Sequence, residues 1–373
     1  MKMGKNMKQI SLFRVAMSKD VDEELLKVLH SGWIGQGPKV EEFEAKLAKK
    51  FNNENVVTLS SGTHGLTLAL RLIGVGPGDS VLCPSLSCSA SVQPVVNCGA
   101  EIVWCDTGKD FNVTVESVKE SIKENTKAII VVHWGGYPCN MKEIYKIAKE
   151  NNIKLIEDAA HCYGSTYKDS IIGDCKYSDF CMISLQAIKF LTASDGGILF
   201  TKSKEDYKKA KLMRWFGIDR ENTLQDMRCV NDILFAGEKF HMNDVNATIG
   251  LANMKLAEEN VKKSQDNAAY YNRELSNVSG IEITQNSNDR FSSFWLYTIL
   301  VNDRTSFASM MGEHGIHVSR VHERLDKYTF TKPFQKELSS LDSIYDKYIS
   351  IPVGFWLTKE NREYIVNCIK RGW

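Results

Sequence analysis

The segment SLQAIKFLTASDGGILF, residues 184–200, places a single lysine, Lys189, between two apolar runs. The runs are FCMISL at 180–185 and GILF at 197–200, so the surroundings of the lysine are typical of a protein core. Burial disfavours the charged form of an amine and lowers its pKa, which makes the amine nucleophilic near neutral pH. Such a lysine suits Schiff-base chemistry with a carbonyl compound, although a single lysine is more often a solvated surface amine. The rest of the chain has to support one of these two interpretations.

Predicted strands and helices alternate upstream of Lys189. This alternation predicts an α/β fold with a largely parallel sheet and helices on both faces. Ligands of such sheets bind at the carboxyl ends of the strands, and Gly62, Asp158 and Lys189 each follow a predicted strand. The predicted strands cover residues 55–59, 80–84, 101–106, 128–133 and 154–158, and the predicted helices cover 20–31, 40–51, 66–72, 115–124 and 141–150.

A short turn, Ser61-Gly62-Thr63, separates the first of these strands from a helix. Free backbone N–H groups at such a helix start can hold a phosphate. The alternative is an ordinary helix cap without a ligand. Neither a Walker A motif nor Gly-x-Gly-x-x-Gly is present, which argues against a nucleoside triphosphate or dinucleotide site.

Asp158 ends an apolar strand, and His161 follows three residues later. A carboxylate in this place either caps the next helix or, if it faces a pyridine nitrogen, keeps that nitrogen protonated. His161 either contacts a ring oxygen of the same cofactor or is a structural histidine. The glycine-rich loop at 32–38 exposes two large apolar residues, Trp33 and Ile34, which indicate a pocket wall or lid rather than a plain connector.

Composition excludes several classes of protein. Lys+Arg of 47 against Asp+Glu of 46 gives a net charge of +1, so nothing indicates a nucleic-acid partner. The first eight residues lack the apolar core of a signal peptide, and no apolar run is long enough to span a membrane. The ten cysteines form no Cys-x-x-Cys pair and no zinc-type cluster with histidine, so we expect no metal site. We expect reduced, buried thiols in a cytoplasmic protein.

A chain of 373 residues suits one large domain and one smaller domain. The alternating pattern ends near residue 250. Beyond it we predict a long polar helix at 251–275, strands at 281–283 and 294–301, and helices at 306–314 and 359–370. The predicted domains are therefore 1–250, which includes the N-terminal segment, and 251–373.

In their order and spacing these motifs resemble the DegT/DnrJ/EryC1/StrS family of sugar aminotransferases, which depend on pyridoxal 5'-phosphate (PLP). The resemblance covers about residues 32–250. It implies the type I fold of PLP-dependent transferases, with a mostly parallel sheet flanked by helices and a smaller C-terminal α+β domain. The matching stretches are GWIGQGP (32–38), SGT (61–63), VHWGGYP (132–138), EDAAH (157–161), SLQAIK through DGG (184–197) and HMND (241–244).

The resemblance also implies roles for individual residues. Lys189 forms a Schiff base with PLP, Asp158 contacts the pyridinium nitrogen, and His161 contacts the ring oxygen. The other implied cofactor-binding residues are Gly62, Thr63 and Ser184 at the phosphate, together with Gln186.

Three positions depart from the family pattern. Many relatives place an aromatic ring against the cofactor where this chain has Cys88. Many supply an asparagine from a neighbouring subunit where this chain has Lys239, which can serve the same phosphate as a point charge and implies a homodimer. The aromatic, proline-rich segment that contacts the sugar is replaced by VSRVHER at 318–324, in which Arg320 and His322 suit a carboxylate or a sugar diphosphate.

The resemblance therefore implies a PLP-dependent aminotransferase that moves an amino group from L-glutamate to a nucleotide-linked keto-deoxysugar, in particular a 4-keto-6-deoxyhexose. Trp33 and Ile34 join Arg320 and His322 as candidate substrate-binding residues. Two enzymatic alternatives remain, a nucleotide-sugar dehydratase and an aminotransferase of a cyclitol ketone. Lys189 argues against the dehydratase, whose branch of the family carries histidine at this position. A PLP-binding regulatory or structural protein without turnover is the alternative from another class.

Overall fold

The computed structural model of the protein describes residues 9–219 and 232–373. The first eight residues, over which we predicted no signal peptide, lie outside the described residues. Within the described ranges, no helix is both long and apolar enough to cross a membrane.

The helices and strands alternate up to β5 and become less regular beyond it. In chain order the strands are β1 (Val56–Leu59), β2 (Ser80–Pro84), β3 (Glu101–Cys105), β4 (Thr126–Val132), β5 (Lys154–Asp158), β6 (Thr166–Tyr167), β7 (Ser170–Ile171), β8 (Phe180–Ser184), β9 (Gly197–Thr201), β10 (Ile281–Glu282), β11 (Arg290–Phe291), β12 (Tyr297–Val301) and β13 (Tyr348–Ile351). The helices are α1 (Val21–Leu29), α2 (Pro38–Phe51), α3 (Gly62–Ile73), α4 (Gln93–Asn97), α5 (Val115–Ser121), α6 (Met141–Glu150), α7 (Lys204–Met213), α8 (Asp244–Leu275), α9 (Arg304–Glu313), α10 (Ser339–Tyr345) and α11 (Lys359–Lys370).

The largest sheet in the described part of the chain has the strand order β1-β9-β8-β5-β4-β2-β3. Strand β9 is antiparallel to both of its neighbours, and the other neighbouring pairs are parallel. Strands β1, β2 and β9 are buried along their whole length, as expected of strands covered on both faces. The predicted α/β fold with a mostly parallel sheet is confirmed.

A second apolar core surrounds the small antiparallel sheet β10-β12-β13. Helix α8 connects the two cores, because Ala247 near its start packs in the larger core and Leu275 at its end packs in the smaller one. Ile10, near the N-terminus, also packs in the smaller core. The predicted boundary at residue 250 falls inside α8, and the division into 1–250 and 251–373 stays a prediction.

Several elements begin at positions other than those predicted, among them α8, which begins at Asp244 rather than at residue 251. The helix predicted at 66–72 starts at Gly62, because the Ser61 hydroxyl accepts a hydrogen bond from the His64 N–H and caps it. The strand predicted at 294–301 starts only at Tyr297. Phe294 has φ of +53°, in the left-handed region, which interrupts the extended backbone there.

The start of α2 is capped by a residue that is distant in sequence. Its N-cap residue, Gly37, has no side chain to accept the free N–H groups of the first turn. The buried Asp244 carboxylate accepts them instead, from Gly37 and Val40 at 2.8 and 3.1 Å and from Lys39 at 3.1 Å. This cap joins the 32–38 loop to the first residue of α8.

We expect Asp244→Ala to lower the free energy of unfolding by roughly 2–3 kcal/mol, because it leaves three backbone N–H groups without an acceptor. Urea denaturation at a fixed protein concentration measures the change. Asp266→Ala is the matched control, since Asp266 is an exposed carboxylate on the same helix that pairs with Lys262. Equal stability of the two variants would contradict the capping role.

Candidate active site

The predicted site residues meet at one edge of the large sheet. Strands β1, β5 and β8 run parallel, so their carboxyl ends lie at the same edge, and β9 starts there. A cavity of about 500 Å³ opens at this edge. The predicted residues that line it are Gly62, Thr63, Cys88, Asp158, His161, Ser184, Gln186, Lys189 and His322.

Lys189 lies in a closed loop between β8 and β9. The Leu185 N–H donates to the Gly196 carbonyl at 2.9 Å, which joins the two ends of the loop. Helix α8 holds the loop from outside. The Asn246 side-chain amide donates to two loop carbonyls at 2.8 and 2.9 Å, and that of Asn253 donates to a third at 2.9 Å. The backbone around Lys189 is therefore fixed by bonds from both the sheet and α8.

The environment of Lys189 favours its uncharged form. Surrounding protein atoms keep water from the amine, and this desolvation lowers its pKa from 10.5 to about 8. The negative charge of Asp158 acts in the opposite direction. At pH 7, roughly a tenth of the amine is uncharged. The lysine can therefore serve as a nucleophile or a base near neutral pH.

Asp158 is a buried carboxylate held by a chain of hydroxyl groups. Burial raises its pKa, and hydrogen bonds from the Ser91 hydroxyl at 2.7 Å and the Ala160 N–H at 3.2 Å oppose that rise. The Ser87 hydroxyl lies 2.9 Å from that of Ser91. An ionised carboxylate has no proton to give, so Ser91 donates to Asp158 and Ser87 donates to Ser91. The direction of both hydrogen bonds is thus set by the carboxylate.

Two histidines in the cavity carry nitrogen atoms without a hydrogen-bond partner in the described structure. These are His161 Nδ1 and His322 Nε2, both buried. Burial lowers the pKa of His161 well below its ordinary value and that of His322 to about 4. Both rings are therefore uncharged at neutral pH. A buried polar atom without a partner usually marks the position of a ligand group or an ordered water.

Strand β9 packs closely against the turn at Ser61-Gly62-Thr63, and Gly197 at the start of β9 has no room for a side chain. A Cβ atom on Gly197, at the start of β9, would lie 2.4 Å from the Ser61 carbonyl oxygen and 2.6 Å from the Gly62 nitrogen. These are backbone atoms of the turn and cannot rotate away. Gly197 therefore lets β9 approach the start of α3, where free N–H groups can receive an anion.

Four predicted residues lie outside this cavity in the same chain. Trp33 and Ile34 are exposed, and Trp33 lines a separate cavity of about 660 Å³ against α7. Arg320 pairs with Glu323 at 3.0 Å. Lys239 is exposed and lies on an isolated β-bridge with Trp215. The roles of these four residues stay predictions.

The sequence analysis did not identify Trp295 and Ser91 as site residues. Trp295 lines the cavity but belongs to a segment that we interpreted as an ordinary apolar strand. Ser91 lies in the stretch SCSAS at 87–91, where we considered only Cys88. Three hydroxyl groups that follow a buried strand end were the available signal for Ser91. We also expected buried thiols, whereas Cys88 is exposed at the cavity.

We expect Gly197→Ala to lower the free energy of unfolding by about 2–3 kcal/mol, because the added methyl group overlaps fixed backbone atoms. Gly312→Ala is the matched control. A Cβ atom there meets nothing within 4 Å, and the position lies in helix α9, so this variant should gain about 0.4–1 kcal/mol. Thermal or urea unfolding of both variants checks the two signs. If Gly197→Ala left the free energy of unfolding unchanged, the backbone of the turn would have to be able to move, which would contradict the prediction.

Comparison with known proteins identifies the family of this chain. The model of the DegT/DnrJ/EryC1/StrS aminotransferase family matches residues 15–370. The chain is 34% identical over 278 residues to UDP-4-amino-4-deoxy-L-arabinose–oxoglutarate aminotransferase of Shewanella sediminis, covering 73% of this chain and 70% of that one. It is 28% identical over 350 residues to GDP-perosamine synthase of Escherichia coli O157:H7, covering 93% and 90%.

A solved structure extends the comparison over the whole described fold. The crystal structure of AtS13 from Actinomadura melliaura superposes with a TM-score of 0.94 at 38% identity, covering 98% of this chain and 99% of that one. The family match spans nearly the whole chain and includes every motif on which the resemblance was based. The chain is a sugar aminotransferase that belongs to the DegT/DnrJ/EryC1/StrS aminotransferase family, whose members depend on pyridoxal phosphate.

Proposed function

We propose that this enzyme transfers an amino group from L-glutamate to the keto group of a nucleotide-linked keto-deoxysugar, in particular a 4-keto-6-deoxyhexose. The observation that carries the proposal is the pairing, in one cavity, of an amine with a pKa of about 8 and a buried carboxylate. The name of the Shewanella relative supports the amino donor and amination at position 4 of a nucleotide-linked sugar, although its sugar is a pentose. It contains a sugar aminated at position 4, and oxoglutarate, the keto acid that glutamate becomes when it loses its amino group.

The groups around the cavity are complementary to PLP. Asp158 offers an anionic oxygen to a protonated ring nitrogen, and Lys189 offers an amine to an aldehyde. The unpartnered Nδ1 of His161 suits the ring oxygen. Further residues that would hold the cofactor are Gly62 and Thr63 at the start of α3 for its phosphate, with Ser184, Gln186 and Cys88 also on the wall.

Each polar residue has one task in this proposal. PLP, when bound, supplies the electron sink that stabilises a carbanion at the substrate carbon. Lys189 Nζ takes the proton from that carbon, which requires the free amine that its lowered pKa provides. Asp158 holds a proton on the ring nitrogen, and Ser91 keeps the carboxylate ionised by donating to it. These tasks require the Lys189 amine and the Asp158 carboxylate to lie close together and away from bulk water.

His322 is the best-placed candidate for a sugar contact. Its buried, uncharged ring lines the cavity with Nε2 unpartnered, so it can bond a hydroxyl group of the substrate. Arg320 lies two residues away and would face the diphosphate after leaving Glu323. Trp33 and Ile34 would contact the substrate only if their exposed loop reaches a neighbouring chain's cavity.

We also propose a homodimer with shared sites and a cytoplasmic location. Large apolar side chains are exposed near Lys239, including Leu234 at 81% and Phe216 at 42%. Apolar surface of this kind favours burial against another subunit. In such a dimer Lys239 would reach the cofactor phosphate of its neighbour. The cysteines in the described ranges are free thiols, which suits a reducing compartment.

The purified enzyme should show the absorption band of lysine-bound PLP and convert glutamate to 2-oxoglutarate without a second substrate. Lys189→Ala removes the nucleophile and the base, so it should lose the band and reduce turnover by at least about 10²–10⁴-fold. Lys176→Ala, at an exposed lysine paired with Asp169, is the matched control and should keep both. An unchanged spectrum in Lys189→Ala would contradict the assignment.

A panel of dTDP-, GDP- and UDP-linked keto sugars, incubated with glutamate and analysed by product mass, then identifies the acceptor. An aminated sugar supports the proposal. A deoxygenated sugar without nitrogen would indicate the dehydratase, and turnover of a free cyclitol ketone would indicate the other alternative.

Shared sites predict complementation between two inactive variants. Lys189→Ala and Lys239→Glu each damage every site of their own homodimer. In an exchanged mixture, half of the dimers contain one subunit of each kind, and one of their two sites carries neither change. Activity should therefore recover to about a quarter of the wild-type value. A monomer in solution, or no recovery after verified subunit exchange, would contradict the shared site.

A further inference from the structure

The indole ring of Trp295 is a wall of the cavity that contacts two of its polar groups. Lys189 Nζ lies 3.7 Å from the ring centroid. The imidazole of His161 stacks on the same ring, with 3.9 Å between centroids and an interplanar angle of 15°. The amine and the imidazole therefore both contact the indole.

The orientation of this ring is fixed relative to Lys189. Trp295 Nε1 donates to the carbonyl of Ile188, the residue before the lysine, at 3.0 Å. Two residues earlier, the Ser293 hydroxyl donates to the His161 carbonyl at 2.8 Å. Phe294, between them, has the left-handed φ of +53°. A strained backbone and two hydrogen bonds thus hold the indole face at the lysine amine.

An aromatic face is suited to a cation that has lost its water. The negative face of indole attracts an ammonium group, and the attraction is strongest where the cation is desolvated, as Lys189 is here. In the proposed reaction the free amine of Lys189 would take the proton from the substrate carbon at Nζ. That proton makes the lysine an ammonium ion inside the cavity.

We propose that Trp295 is a positioning residue that receives the Lys189 side chain and stabilises its ammonium form while the proton is transferred. The inference rests on the proposed role of Lys189. It requires no further reactant, because the proton that leaves the substrate carbon stays on Nζ until it is returned. Among the described residues, no carboxylate forms an ion pair with Lys189; the Asp158 charge favours the ammonium form from a distance, and the indole contacts the amine directly.

The two possible roles of Trp295 change the pKa of Lys189 in opposite directions. If the indole only keeps water out, Trp295→Leu admits water and raises the pKa of the lysine. If the indole stabilises the ammonium ion, the same change lowers it. We expect the titration midpoint of Lys189 to fall by about one pH unit, which lowers the ratio of ammonium to free amine about tenfold at a given pH.

NMR of the full chain labelled with ¹³C at the lysine ε carbons, freed of cofactor, measures this midpoint. The Lys189 signal is identified by its absence in Lys189→Ala. Trp295→Phe keeps an aromatic face and should shift the midpoint less than Trp295→Leu. Lys50, whose amine lies 4.9 Å over the Tyr163 ring, provides an internal reference that should not move in either variant.

Fluorinated tryptophan, incorporated in place of the natural residue, weakens the negative face without changing its shape. It should lower the midpoint even if Trp295→Leu does not fold. A midpoint that rises or stays constant overturns the proposal. The titration does not depend on amino transfer, so it can contradict the role of Trp295 while glutamate is still converted. Absence of glutamate conversion with the expected titration contradicts the proposed function instead.

Discussion

The site depends on keeping two ionisable groups, an amine and a carboxylate, out of water in one cavity. Burial lowers the pKa of Lys189 and raises that of Asp158, and each charge opposes the effect of burial on the other. Neither group would have the same properties alone, because a single buried charge is strongly disfavoured. The hydroxyl of Ser91 shifts this balance towards an ionised carboxylate. The protonation states on which the chemistry depends are therefore set by all three groups together.

The parallel sheet brings the two groups together. Asp158 is the last residue of β5 and pairs with Met182 of the neighbouring β8, two residues before that strand ends. The polypeptide then forms the closed Lys189 loop and returns as β9 against β1, which positions the start of α3 beside it. A single edge therefore combines an acid, an amine and a helix start, although these come from three separate parts of the sequence.

The site residues that could be predicted from sequence are those whose adjacent residues form a recognisable pattern. Asp158 and Lys189 could be identified because each follows a buried apolar strand, and that local pattern also predicted the α/β fold. The roles of Trp295, Ser91 and Asp244 were not identified, since they come from partners distant in sequence: a lysine, the carboxylate at the end of β5, and the start of α2. The local pattern likewise gave no indication that α8 continues through the predicted boundary at residue 250.

Helix α8 has a mechanical consequence. Its 32 residues form a rod about 48 Å long. One end carries the Asp244 cap and the Asn246 amide that holds the lysine loop, and the other end is embedded in the core of the small sheet. A rigid rod transmits rotation, so a tilt of the small sheet moves the backbone of the lysine loop and the start of α2 together. The lysine loop and the start of α2 are therefore coupled to the small sheet through one rod rather than through separate loops.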